Sequence, residues 1–146
     1  MTDTTPSHPR LILGSTSRYR RELLQRLHVP FDVASPDVDE TPHSAEAPRQ
    51  LALRLALAKA HAVAKQHPSC VVIGSDQVAD LDGTPLGKPG DHQRAVQQLQ
   101  QMRGRTVVFQ TAVAVVHLDA GFEQVDLAPV QVRFRALSDA AIEHYL

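Results

Sequence analysis

The chain has 146 residues, 42% hydrophobic and 21% charged, with a net charge of −1, eight histidines and one cysteine. That length suits one domain with a real core and the composition excludes a disordered chain; the charge balance favours neither a nucleic-acid polymer nor an anionic membrane as partner. A single cysteine excludes an internal disulfide and a multi-cysteine metal site, and no apolar run approaches the ~20 residues of a membrane-spanning helix.

In chain order, residues 1–9 are polar and lack the apolar stretch of a secretory signal, so they read as a flexible arm of a cytoplasmic protein. Arg10-Leu11-Ile12-Leu13 is a short apolar strand broken by Gly14-Ser15-Thr16-Ser17. A helix is expected over about Ser17 to His28, with Leu23, Leu24 and Leu27 on one side. Phe31 to Ala34 forms a second strand, and Ser35 to Pro48 a polar loop with three prolines and four acids. A second helix spans roughly Arg49 to Lys65, its apolar stripe made by Leu51, Leu55, Ala58 and Ala62. Cys70 to Gly74 is a continuous apolar run, as in a central strand buried on both faces, with Cys70 a buried, inert thiol.

Gln77 to Leu86 reads as a hairpin around Asp82-Gly83. A third helix covers about Asp91 to Met102, ended by Gly104. Arg105 to His117 is a long strand and Phe122 to Arg135 its partner, where Val130, Val132 and Phe134 alternate with Gln131, Arg133 and Arg135, and Pro129 marks a bend or an edge. From Ser138 a helix opens and the chain stops after about two turns, so the sequence reads as cut rather than finished. Strand–helix units followed by a long hairpin give an α/β fold with a mixed sheet. One domain is expected over residues 10–146.

Four groups of residues carry chemistry. At Gly14 to Arg21 a strand feeds a hydroxyl-rich turn that opens a helix: N–H groups, Ser15, Ser17, Arg20 and Arg21 suit an anion, and equally a capped helix with a solvated basic face. Asp76 falls just past the apolar strand, where ligands collect in open α/β sheets; there it serves as a water-orienting carboxylate or as a turn-forming one. The loop Asp37-Val38-Asp39-Glu40-Thr41-Pro42 is acid-rich, which suits a magnesium–triphosphate site and equally a solvated loop. Lys59 falls within the apolar stripe, where it snorkels or meets an anion, and Lys88 sits in the rigid Gly87-Lys88-Pro89-Gly90 loop. The histidine spacing lacks H-x-x-x-H, there is no G-x-S-x-G elbow, P-loop or G-x-G-x-x-G, and 4% aromatics argue against a base-stacking platform.

Together and in this order, the segments Leu11 to Leu24 (with Ser15-Thr16-Ser17-Arg18-Tyr19-Arg20), Ser35-Pro36-Asp37-Val38-Asp39-Glu40-Thr41-Pro42, Leu57-Ala58-Lys59-Ala60, Ile73-Gly74-Ser75-Asp76-Gln77-Val78, Leu86-Gly87-Lys88-Pro89-Gly90 and Gly104-Arg105-Thr106-Val107 resemble the Maf family of nucleotide pyrophosphatases. The Ser-Asp-Gln-Val spelling is similar to the branch acting on 7-methyl-GTP. The resemblance implies a Maf/ITPase-like mixed twisted sheet flanked by helices. It implies a house-cleaning hydrolase that converts 7-methyl-GTP to 7-methyl-GMP and diphosphate. In that reading Asp76 is the proton acceptor, and Ser15, Ser17, Arg20, Arg21, Lys59 and Lys88 bind phosphate. Glu40 and Asp76 hold a divalent cation, Mg²⁺ or Mn²⁺, and Tyr19 and Gln77 select the base. An aromatic face attracts the cationic methylated guanine, and a glutamine offers a donor and an acceptor to a base edge. Family members commonly form homodimers. They continue past the point where this chain stops, with another specificity position and more of the sheet. Arg18 stands where the branch often has proline. The alternatives are a pyrophosphatase for another nucleotide, such as a pyrimidine triphosphate, and a nucleotide-binding regulator of cell division without turnover.

Overall fold

The computed structural model describes residues 10–87 and 89–146; the expected arm over 1–9 and Lys88 lie outside the described residues. The order is β1 Leu11–Gly14, α1 Arg18–Gln25, β2 Asp32–Ala34, α2 Pro48–Ala64, β3 Val71–Leu81, β4 Thr84–Leu86, α3 His92–Met102, β5 Thr106–His117, β6 Phe122–Arg133 and α4 Asp139–Tyr145. One mixed sheet runs β2-β1-β3-β5-β6, with β4 paired to β3. β1 is parallel to β2 and β3, while β3–β5 and β5–β6 are antiparallel. This is the expected α/β architecture of a mixed sheet flanked by helices.

α2 packs on one sheet face. Leu51, Leu55 and Val63 bury against Val72, Ala112, Ala114 and Val116, and each fully buried large side chain contributes roughly 1.5–3 kcal/mol. The buried stripe is Leu51, Ala52, Leu55, Ala56, Ala60, Val63 and Ala64; Ala58 and Ala62, expected in it, lie half-buried at its edge. The helix is rotated because its closest approach to the sheet is through Ala56 and Ala60. A Cβ on Gly74 would lie 2.3 Å from the Ala56 carbonyl oxygen and 2.6 Å from the Ala60 nitrogen, so only glycine admits the helix there.

The opposite face is thinly covered. α3 places Leu99 and Met102 over Leu81, Val107 and Phe109 at one end. α1 lies at the other end and buries none of its residues fully. β3 is central, but its apolar run is fully buried only on the face that α2 covers, a correction to the two-sided burial expected for Cys70 to Gly74: Val71 and Ile73, on the other face, are half-buried while Val72 is fully buried. α1 also stops at Gln25, short of His28. His28 has φ 55, and Pro30 disfavours a helical residue before it.

The expected hairpin closes with Asp82 at φ 51 and Gly83 at φ 86, the left-handed pair of a two-residue turn. Pro129 sits in the edge strand β6, opposite Gln110. α4, marginal by length, is held by fully buried Ile142 and by the Arg103–Asp139 ion pair at 2.6 Å. Among the described residues, no helix is long and apolar enough to cross a membrane.

Candidate active site

β1 ends at Gly14, and the chain turns through Ser15 and Ser17 into α1. Ser15 is buried, and its hydroxyl accepts from the Ser17 N–H at 3.0 Å. Ser17 is the N-cap, accepting from the Arg20 N–H at 3.2 Å. Arg20 Nη1 lies 3.5 Å from Ser15 Oγ, which turns its guanidinium back over the helix start. These residues line one side of a polar cleft of about 220 Å³; Glu40 and Lys59 line the other. Arg21, expected to join them, is exposed and lines neither this cleft nor its neighbour.

Asp76 was expected beyond the end of the apolar strand; it lies inside β3. The strand continues because β5 pairs with it from Val72 through Asp80, whereas β1 ends opposite Gly74. Asp76 thus stands just past the carboxyl end of β1, on the face that α2 covers. The glycine contact that seats α2 brings Lys59 over it. Lys59 Nζ lies 2.9 Å from Asp76 Oδ1 and 2.8 Å from Glu40 Oε1. The Lys59 and Asp76 side chains are only 12% and 10% exposed, and Glu40 is 48% exposed. One ammonium therefore holds a buried and a solvent-facing carboxylate together. Lys59 meets anions rather than snorkelling to water.

The loop that carries Glu40 is tied down separately. Arg54 of α2 donates to both Glu46 oxygens at 2.7 and 2.9 Å and to the Thr41 carbonyl at 3.1 Å. The Arg54 fork, with a further bond from the His43 N–H, holds the Glu46 carboxyl at a pKa of about 2. Asp39 accepts from the Thr41 hydroxyl and N–H, which lowers its pKa as well.

A second cleft, about 480 Å³ and mostly apolar, adjoins the first on the other sheet face. Leu23, Ile73, Tyr19, Gln77 and Thr111 line it, and Ser17 and Arg20 line both clefts. Tyr19 is 68% exposed. Gln77 Nε2 bonds Thr111 Oγ1 at 2.9 Å, and the Ser75 hydroxyl donates to the Ala112 carbonyl at 2.8 Å.

Residues 10–146 match the family described as Maf-like protein. The chain belongs to the Maf-like family. It is 71% identical over 145 residues to a 7-methyl-GTP pyrophosphatase of Polaromonas sp., covering 99% of this chain and 66% of that protein. It is 69% identical over 141 residues to the protein of that name from Albidiferax ferrireducens, covering 97% and 71%. The chain spans about two thirds of the length of these relatives. Among solved structures, the Staphylococcus aureus Ham1 protein aligns at a TM-score of 0.62 and 16% identity, over 87% of this chain and 72% of that one. A HAM1 protein from Coxiella burnetii aligns at 0.58 and 15%, over 89% and 75%. At those identities the likeness is one of fold.

In this Maf-like chain, the fold gathers Ser15, Ser17, Arg20, Glu40 and Lys59 around one cleft, with Asp76 beneath Lys59, and puts Tyr19 and Gln77 in the next. Among the described residues, no group of three or more His, Cys, Asp or Glu is placed to hold a metal. Glu40 and Asp76, drawn to one ammonium, still fit a hard divalent ion that takes its remaining ligands from water and phosphate oxygens. Sequence reasoning missed Arg54 and Thr111. No motif or spacing marks either residue; only the loop path and the β3–β5 register give them partners.

Proposed function

We propose that this Maf-like chain hydrolyses 7-methyl-GTP to 7-methyl-GMP and diphosphate. The observation that carries the reading is the pair of adjoining clefts. One is polar, with Ser15, Arg20 and Lys59; the other is apolar, with Tyr19 and Gln77; they share Ser17 and Arg20. That division matches a triphosphate joined to a flat, cationic base. The name shared by the Polaromonas and Albidiferax relatives supports the same substrate.

The triphosphate lies against the Ser15–Ser17 turn, where the first N–H groups of α1 and the Arg20 guanidinium face its oxygens. Lys59 turns its ammonium from the carboxylates towards the phosphates. Asp76, relieved of that partner, accepts a proton from water as the water oxygen bonds the α-phosphorus. The bond from the α-phosphorus to the bridging oxygen breaks, and diphosphate leaves. Proton transfer contributes ~10²–10⁴-fold and the positioned charges supply the remainder. Glu40 and Asp76 would hold a Mg²⁺ or Mn²⁺ ion, which when bound neutralises phosphate charge. Lys88 belongs to the phosphate set on the sequence resemblance alone, and exposed Arg21 adds charge at longer range.

The test is diphosphate release from 7-methyl-GTP, GTP and a pyrimidine triphosphate, each with Mg²⁺ and with Mn²⁺. The proposal expects the highest kcat/KM for 7-methyl-GTP. Preference for the pyrimidine nucleotide would replace the substrate, and tight binding without product would replace the enzyme with a nucleotide-binding regulator.

A further inference from the structure

Two cations of α2, five positions apart, hold the acidic loop at two points. Lys59 meets Glu40 at 2.8 Å inside the polar cleft. Arg54 meets Glu46 through a two-pronged contact at 2.7 and 2.9 Å and reaches the Thr41 carbonyl at 3.1 Å. Between these points the loop is bonded to itself: Asp39 accepts from Thr41, the His43 N–H donates to Glu46, and the Glu46 N–H donates to the His43 carbonyl. Segment 39–46 is therefore one folded unit with two attachments to the same helix.

The attachments differ in kind. Lys59 lines the polar cleft, and its ammonium is shared between Glu40 and Asp76, so an incoming phosphate competes for it. Arg54 lines neither cleft, and a bidentate guanidinium–carboxylate pair is the stronger, more directional contact. The Glu46 side chain is 9% exposed, so solvent competes little for it. We infer that Arg54 is a positioning residue: it keeps the Glu40-bearing loop against the polar cleft when Lys59 moves from the carboxylates to the substrate. This inference rests on the proposed pyrophosphatase reading. Arg54 touches no reacting atom and acts through Glu46, Thr41 and Glu40.

The experiment compares wild type, Arg54→Met, Glu46→Gln, the double variant and Arg54→Lys. Backbone hydrogen exchange is read over segment 39–46, and diphosphate release is followed against substrate and Mn²⁺ concentration. Arg54→Met and Glu46→Gln should each speed exchange in 39–46 by ~10-fold or more, with β3 and the rest of α2 unchanged. The double variant should add nothing, because both changes open one clamp. KM and the Mn²⁺ concentration for half-maximal rate should rise ~10-fold while kcat at saturation changes less, and Arg54→Lys should restore part of the loss. Unchanged exchange in 39–46, additive effects in the double variant, or faster exchange spread evenly over the chain would each overturn the inference. If the wild type releases no diphosphate from any nucleotide, the proposed activity fails and the exchange comparison alone decides the clamp.

Discussion

Lys59 Nζ lies 2.9 Å from Asp76 Oδ1, across a contact that exists because Gly74 lets α2 approach β3. The same ammonium holds Glu40 at 2.8 Å, so the proposed base, the loop acid and the cation proposed to bind phosphate form one charge cluster.

Asp76→Asn keeps the shape and removes the proposed proton acceptor. Diphosphate release should fall by ~10²–10⁴-fold. A variant keeping more than about a tenth of wild-type kcat removes Asp76 from the role of general base.

Lys59 and Asp76 should differ in their effect on stability. Lys59→Met strands a nearly buried carboxylate beside Glu40, and breaking a buried pair in this way costs about 3 kcal/mol. Asp76→Asn leaves Lys59 paired with Glu40 and should cost about 1 kcal/mol or less. Urea unfolding of the two variants reads the difference; equal losses would mean that the ammonium does not carry both carboxylates.

Gly74→Ala puts a methyl group into the α2 backbone, where no side chain can move aside. We expect a loss of about 3 kcal/mol or more, at the upper end for overpacking, and reduced activity through displaced Lys59. A thermal melt close to wild type would show that α2 is seated less tightly than the contact implies.

Tyr19 faces the apolar cleft with most of its ring open. Tyr19→Ala should raise KM for 7-methyl-GTP several-fold more than for GTP, because the ring's attraction for a cationic base is worth ~1–2 kcal/mol. Equal changes for both substrates remove the charge argument.

Acid should release the Glu46–Arg54 clamp. Glu46 titrates at about 2 in the folded chain against an ordinary 4.5. A depressed carboxylate stabilises fully above the unfolded value, and its contribution fades as pH falls from about 4.5 towards 2. Carboxyl-carbon NMR should follow that titration, and Arg54→Met should raise the Glu46 pKa towards the ordinary range, with the His43 N–H bond still lowering it.

The sequence by itself determined the α/β class, the Asp82-Gly83 hairpin, the helix start at Ser138, and the order of motifs that marks the family. These are local or periodic properties, set by backbone conformation and side-chain spacing within a few residues. Tertiary structure alone decided that Asp76 stands inside β3, that the α2 stripe turns onto Ala56 and Ala60, and that Arg21 lines neither cleft while Arg54 holds the loop. Each depends on which distant backbone lies opposite: the β5 register, the Gly74 contact and the path of residues 35–47. No window of sequence contains both partners of such a contact.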